Sequence, residues 1–239
     1  MGQLLLVRHG QESLMRTNYD DLSDRGREQA TALGECFADN GWEFDFVYSG
    51  PALRHRDTAR RVGRAMEAAG RRWPEPMELP GLGEHDDLSL VRASVSSLGD
   101  DAEVVGLRRE MLEVRDREER SLRFQRLFEA VMIRWLQGSF EPRGVETWPQ
   151  FRARVLSCVE AMTSLCEPST RILAFSSVGP AAVLLQRALG TDDVTTFRMA
   201  WKLRNSAITS FQFDGRGALS LEVFNALPHL RNPADWTPR

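Results

Sequence analysis

The sequence predicts an α/β fold, a three-layer α/β/α sandwich with a mostly parallel central sheet and a helical cap insertion. Three observations lead there. Short runs of strand length alternate with longer amphipathic helical runs, the pattern of a sheet built from parallel crossovers. Three of the short runs, QLLLV at 3–7, FDFVYS at 44–49 and RILAFS at 171–176, are apolar enough to read as central strands covered on both faces. The stretch from about 86 to 147 breaks this alternation with a helical, densely charged run that has no strand signal.

Each element has a local cause. After the first strand, Ser23 is a helix N-cap candidate, Ala30, Leu33 and Phe37 fall at helical spacing, and Gly41 stops the helix. The second strand leads into a helix that starts near Arg54, with the arginines from Arg56 to Arg72 forming a solvated face. The charge run of the 86–147 region is likewise a solvated helix face, so this region reads as a cap over one end of the sheet. From Trp148 to Leu165 a helix places Phe151, Val155, Val159 and Met162 on one side as core. The third strand runs into a helix beginning at about Pro180. Near the end, AITSFQF and ALSLEVF flank Asp214-Gly215-Arg216-Gly217, a β-hairpin closing one sheet edge. No repeat or low-complexity linker divides the chain, which reads as one domain over 1–239 with the cap at about 86–147.

Composition narrows the function classes. The 239 residues are 42% hydrophobic, enough to bury a sizeable core. The 31 basic and 34 acidic side chains are well mixed and leave a net charge of −3, which argues against a nucleic-acid partner, so any anion site must be local. Cys36, Cys158 and Cys166 are an odd number without metal-type spacing and read as buried thiols of a reducing cytoplasm. The opening MGQLLLVRHG has only five apolar residues before an arginine, too few for a signal core or a membrane span. The expectation is a soluble cytoplasmic protein; nothing in the chain decides its oligomeric state.

In open parallel sheets ligands bind where loops leave the carboxyl ends of the strands. Three such ends stand out here: VRHGQ, SGPALRHRDTA and FSSVGP. A histidine directly after a buried strand, beside an arginine and a glycine, suits a positioned nucleophile with room for substrate against the backbone. His9 is that residue. The four histidines make no HxH or HxxxH cluster, so neither a metal nor another cofactor is expected.

LLLVRHGQ, LSDRGREQATALG, YSGPALRHRDTA, LGEHD, ETWPQFRARV and LRNSAITSFQFDG, in that order, resemble the histidine phosphatase superfamily, also called the phosphoglycerate mutase-like family. The RHGQES opening, YDDLSDRGREQA and the FNALPHL ending look most like its bacterial phosphatase branch. The resemblance implies that His9 becomes a phosphohistidine, that Arg8 and Arg54 bind the phosphoryl oxygens, and that Glu84 is general acid and base. Gln11 matches the family's Glu or Gln position near the phosphate, and Asn205 its asparagine before the last strands. The chemistry agrees: an attacking imidazole must be neutral, guanidinium forks neutralise equatorial oxygens, and a leaving alkoxide needs a proton. The implied substrate is a phosphorylated small molecule, with no nucleic acid and no membrane involved. His55 and His85, neighbours of predicted site residues, read as rim or surface positions, and His229 as tucked against the body.

One position departs from the resemblance. The family carries SHGG or a similar run at the third strand end, where this chain has Ser176-Ser177-Val178-Gly179, so Ser177 stands in place of a second phosphate-binding histidine. A hydroxyl cannot carry positive charge, although the following helix still offers free N–H groups to an anion. Exchanging a charged hydrogen bond for a neutral one is expected to cost on the order of ten- to thirtyfold in rate. Ser177→His is accordingly expected to leave activity unchanged or raise it. The expected activity is a phosphatase; the alternatives are a mutase and a weak phospho-ligand or protein-binding pseudophosphatase.

Overall fold

The computed structural model describes residues 1–13, 20–164, 166–214 and 217–238. Leu165, Gly215 and Arg216, named above, lie outside the described residues, as does the Tyr19 of the YDD motif. The chain forms two compact units, Met1–Glu84 together with Arg154–Arg239, and His85–Ala153 between them in sequence.

In chain order the elements are β1 (Gly2–Arg8), α1 (Asp24–Asp39), β2 (Phe46–Ser49), α2 (Leu53–Ala68), β3 (Met77–Glu78) and a 3₁₀ turn at Pro80–Leu82. Then come α3 (Asp87–Ser97), α4 (Ala102–Glu113), α5 (Arg117–Leu136) and α6 (Trp148–Thr163). The chain ends with β4 (Arg171–Ser176), α7 (Val178–Leu189), α8 (Asp193–Ala200), β5 (Ile208–Phe213), β6 (Leu219–Ala226) and a 3₁₀ turn at Pro233–Asp235.

The six strands form one sheet in the order β3-β2-β4-β1-β5-β6. β1 and β4, β2 and β4, and β2 and β3 pair in parallel, whereas β5 runs antiparallel to β1, and β6 to β5. The fold is thus an α/β fold with a mixed, mostly parallel sheet flanked by helices. β1 and β4 lie at its centre, and Leu4, Val7, Ile172, Leu173 and Phe175 are completely buried. The second strand corrects its expectation: only the two-residue β3 lies beyond β2, and Phe46 is 39% exposed. The registers Arg8 opposite Ser176 and Ser49 opposite Phe175 bring the carboxyl ends of β1, β4 and β2 side by side.

α1 begins where the sequence expects, with the Ser23 hydroxyl accepting from the Gly26 N–H at 3.0 Å. It packs on α2 through Gly34, where a Cβ would stand 2.5 Å from the Val62 carbonyl. The aromatic group of Phe37, Trp42, Phe44 and Trp73 closes this layer around Val47 and Leu173.

In the helical unit, Asp86, Asp101 and Asp116 cap α3, α4 and α5 by accepting from the N–H groups of Ser89, Val104 and Glu119. Trp135, at the end of α5, packs with Trp148 and Phe151, and its indole N–H donates to the Glu146 carbonyl. The charge run forms surface ion pairs, such as Arg123 with Glu110 and Glu119.

Candidate active site

Every residue singled out at the strand ends belongs to the sheet-bearing unit. His9 follows β1 directly, its N–H donating to the Ser176 carbonyl at 2.9 Å and its own carbonyl accepting from the Ser206 N–H at 3.1 Å. The side chain is buried, and Nδ1 stands 2.7 Å from the Gly10 carbonyl. A carbonyl can only accept, so the proton is on Nδ1 and the Nε2 lone pair is left for chemistry. Burial, reinforced by the charges of Arg54 and Arg8 and by His55, holds the His9 pKa well below the usual histidine value. The ring is neutral, and its unprotonated Nε2 has the electron pair that attack on an electrophile requires.

The loop after His9 is pressed against α1. A Cβ on Gly10 would lie 2.4 Å from the Gly26 carbonyl oxygen, and one on Gly26 would lie 2.1 Å from that of Gln11. Glycine at both places lets the two backbones meet. The Gly10 N–H donates to the Thr58 hydroxyl at 3.1 Å, and that hydroxyl donates to the Arg54 carbonyl at 2.7 Å, tying the β1 end to the first turn of α2. Gln11 lies in the same loop, where the Ser23 hydroxyl donates to its Oε1 at 2.9 Å.

The two arginines are held differently. Nη1 of the buried Arg8 donates to the carbonyls of Leu203 and Pro238, the latter at 2.8 Å. Arg54 is held by carboxylates: its Nη1 donates to Asp20 at 2.7 Å, and Glu12 lies 3.7 Å from its Nε. Asp20 has a second task. Ala52, at the N-cap position of α2, has no side chain that can cap, and Asp20 accepts the Leu53 N–H at 2.6 Å in its stead.

Glu84 follows β3 and the 3₁₀ turn, and its Oε2 accepts the Gly179 N–H of α7 at 3.0 Å. Its loop is pinned from two sides. Arg154 donates to the carbonyls of Pro80, Gly81 and Gly83, and the Ser176 hydroxyl donates to that of Leu82 at 2.6 Å. One of the helix N–H groups expected to be free for an anion is therefore taken by Glu84. α7 also starts at Val178, two residues before the expected Pro180, which sits in the first turn where its missing N–H costs nothing.

Ser177 is buried at the N-cap position of α7, and 2.6 Å from its hydroxyl is Nε2 of His55. The expectation that His55 is a rim residue is thereby overturned. It is 0% exposed in the first turn of α2, with its ring centroid 5.6 Å from that of His9. A histidine introduced by Ser177→His would therefore have to be accommodated beside the buried His55 ring, whose Nε2 lies 2.6 Å from the Ser177 oxygen. His85 is also buried rather than on the rim, stacked on Trp135 with its Nε2 2.6 Å from Asp87.

A family model described as histidine phosphatase superfamily (branch 1) matches residues 4–88 and 111–226. The chain belongs to this superfamily. Over 96 residues, 37% of the chain, it is 34% identical to a 2,3-bisphosphoglycerate-dependent phosphoglycerate mutase of Rhizobium meliloti (strain 1021), a match spanning 44% of the mutase's length. Among solved structures, a phosphoserine phosphatase mutant from Entamoeba histolytica in complex with phosphoserine superposes with a TM-score of 0.61 at 17% identity, covering 96% of this chain and 100% of that one. A mycobacterial glucosyl-3-phosphoglycerate phosphatase gives 0.58 at 19% identity, covering 94% and 98%. These likenesses are of fold.

Within this histidine phosphatase framework, sequence reasoning missed His55, Asp20 and Glu12. The signal for His55 was present, since it shares its helical turn with Arg54 and faces a strand end that lacks a histidine. His229 lies against the body with Nε2 2.8 Å from the Ser206 hydroxyl, and burial pushes its pKa down to about 4. Its partner is not Ser177. The side-chain amide of Asn205 meets the Thr237 hydroxyl at 2.9 Å, so this asparagine fastens residues near the end of the chain to the strand ends. The three cysteines are free and half-buried rather than buried, and burial raises the pKa of each thiol. No helix among the described residues is long and apolar enough to cross a membrane.

Proposed function

We propose that this histidine phosphatase superfamily member is a phosphomonoesterase, hydrolysing a phosphorylated small molecule through a phosphohistidine on His9. The observation that carries this reading is the neutral, buried His9 with Nδ1–H on the Gly10 carbonyl and Nε2 unprotonated.

In the first step Nε2 forms a bond to phosphorus as the ester P–O bond breaks, and the alkoxide leaving group takes a proton from the Glu84 carboxyl. In the second step Glu84 accepts a proton from water, the water oxygen attacks phosphorus, and the P–N bond breaks to release phosphate and neutral His9. Charge on the equatorial oxygens is met by Arg8 and Arg54, with Gln11 and Ser177 as neutral donors. Local geometry supports the binding roles of Gln11, Arg8 and Arg54. The Gln11 oxygen is occupied by Ser23, which leaves its NH₂ to face an anion, and fixed carbonyls and carboxylates preorganise the guanidinium groups. Three free thiols suit a reducing cytoplasm.

Phosphoryl transfer between positions of a phosphoglycerate is the second reading, supported by the partial likeness to the Rhizobium meliloti mutase. The test is incubation of wild type and His9→Ala with p-nitrophenyl phosphate and with 3-phosphoglycerate. Phosphate release and an acid-labile phosphoprotein, both absent in His9→Ala, are expected. Interconversion of phosphoglycerates without net phosphate release would favour the mutase.

A further inference from the structure

His55 has no part in the steps above, yet few polar side chains in this unit are more confined. It is fully buried beside His9, its Nε2 is 2.6 Å from the Ser177 oxygen, and its Nδ1 is buried with no hydrogen-bond partner among the described residues. Gly50 makes room for the ring, since a Cβ there would lie 2.3 Å from Nδ1.

These contacts decide the tautomer. A proton on Nδ1 would be a buried donor with no acceptor, whereas a proton on Nε2 is used at once in a bond to Ser177. Burial lowers the pKa of this imidazole to about 3, so it stays neutral and carries a single proton near neutral pH. With its oxygen accepting from His55, the Ser177 hydroxyl must direct its own proton elsewhere. It makes no capping bond to α7, and none of its hydrogen bonds among the described residues goes to another acceptor. Because Arg8 pairs with Ser176 across β1 and β4, Ser177 and His9 leave adjacent strand ends side by side.

The geometry points to a two-residue donor, in which His55 Nε2–H holds the Ser177 oxygen and the Ser177 O–H is given to a phosphoryl oxygen of the group transferred to His9. Ser177 touches the substrate, and His55 is a positioning residue that polarises it. The inference rests on the phosphatase reading and deepens it. The imidazole that the sequence places outside the site is supplied from α2, one hydrogen bond removed from the anion.

The test measures p-nitrophenyl phosphate hydrolysis and, by calorimetry, orthovanadate binding. Wild type is compared with Ser177→Ala, His55→Ala, the double variant, and an exchange variant combining His55→Ala with Ser177→His. Each single alanine is expected to lower kcat/KM about ten- to a hundredfold, and the double variant to lie within about threefold of the worse single, because both remove one donor. The exchange variant, with its imidazole at the β4 end, is expected to recover at least about tenfold over His55→Ala, a rescue that a merely structural role for His55 does not give. His55→Gln, which keeps an N–H donor at the ε position, is expected to recover a similar amount.

Ser177→Ala within twofold of wild type overturns the inference, as do single effects that multiply in the double variant. If His55→Ala does not fold, Ser177→Ala alone decides. Absence of turnover in wild type, or a fully active His9→Ala, would count against the phosphatase reading instead. Vanadate affinity then still tests the donor, with a loss of about tenfold expected in Ser177→Ala.

Discussion

The two walls of the site are built on different principles. On the β1 wall, Arg8, His9, Gly10 and Gln11 are consecutive, and main-chain groups hold the first two: carbonyls of Gly10, Leu203 and Pro238, and the strand pairing to Ser176. On the β4 wall, Ser177 meets His55, 122 positions away in sequence, and the two are joined side chain to side chain. A wall anchored on backbone keeps its geometry as long as the strands pair. A wall made of two side chains from different elements depends on how α2 packs, and can be lost by changing either partner.

The largest expected effect tests the first wall directly. His9→Ala should lower turnover by about four orders of magnitude or more, the scale seen when a covalent nucleophile is lost, while the fold is retained by circular dichroism. Displacing the same wall through its backbone comes next. Gly26→Ala places a Cβ 2.1 Å from the Gln11 carbonyl oxygen, and should cost about 3 kcal/mol in urea unfolding together with much of the activity.

The second wall has a pH signature. The His55 pKa falls from 6.5 to about 3 on folding, so between those values the unfolded chain holds one proton more than the native one. Stability is therefore complete above pH 6.5 and is lost as pH falls towards 3, at about 1.4 kcal/mol per pH unit for each such proton. His229, lowered to about 4, and His9 act with the same sign. Urea midpoints measured from pH 7 to 4.5 should fall in wild type and fall less in His55→Gln; parallel curves would show that His55 is not held neutral.

The smallest effect concerns the joint between the walls. Asp20→Ala removes the acceptor for the Leu53 N–H and the partner of Arg54. A loss of about 1 kcal/mol, typical of a missing cap, should appear with a KM for p-nitrophenyl phosphate changed a few-fold.

Much of this was legible because its causes are local. Ser23 caps α1 as its position before the amphipathic run requires, and the β1 and β4 runs are central because they are apolar without alternation. Phe46 shows the limit. The same apolar character suits a covered strand or one beside a short edge, and strand order alone separates the two. His55 and His85 show it more sharply. Each follows a predicted site residue, and both are buried, yet one meets Ser177 and the other Trp135. Nothing within a few residues of either distinguishes their surroundings.

The sequence by itself determined the sheet-and-helix alternation, a histidine placed directly after the first strand and the family to which the chain belongs. All three are carried by short contiguous motifs whose chemistry acts through neighbouring residues. Tertiary structure alone decided that Arg54 is paired with Asp20, that Glu84 takes an N–H of α7, and that a histidine of α2 completes the serine corner. Those contacts join groups far apart along the chain, and only strand order and helix packing bring them within hydrogen-bond reach.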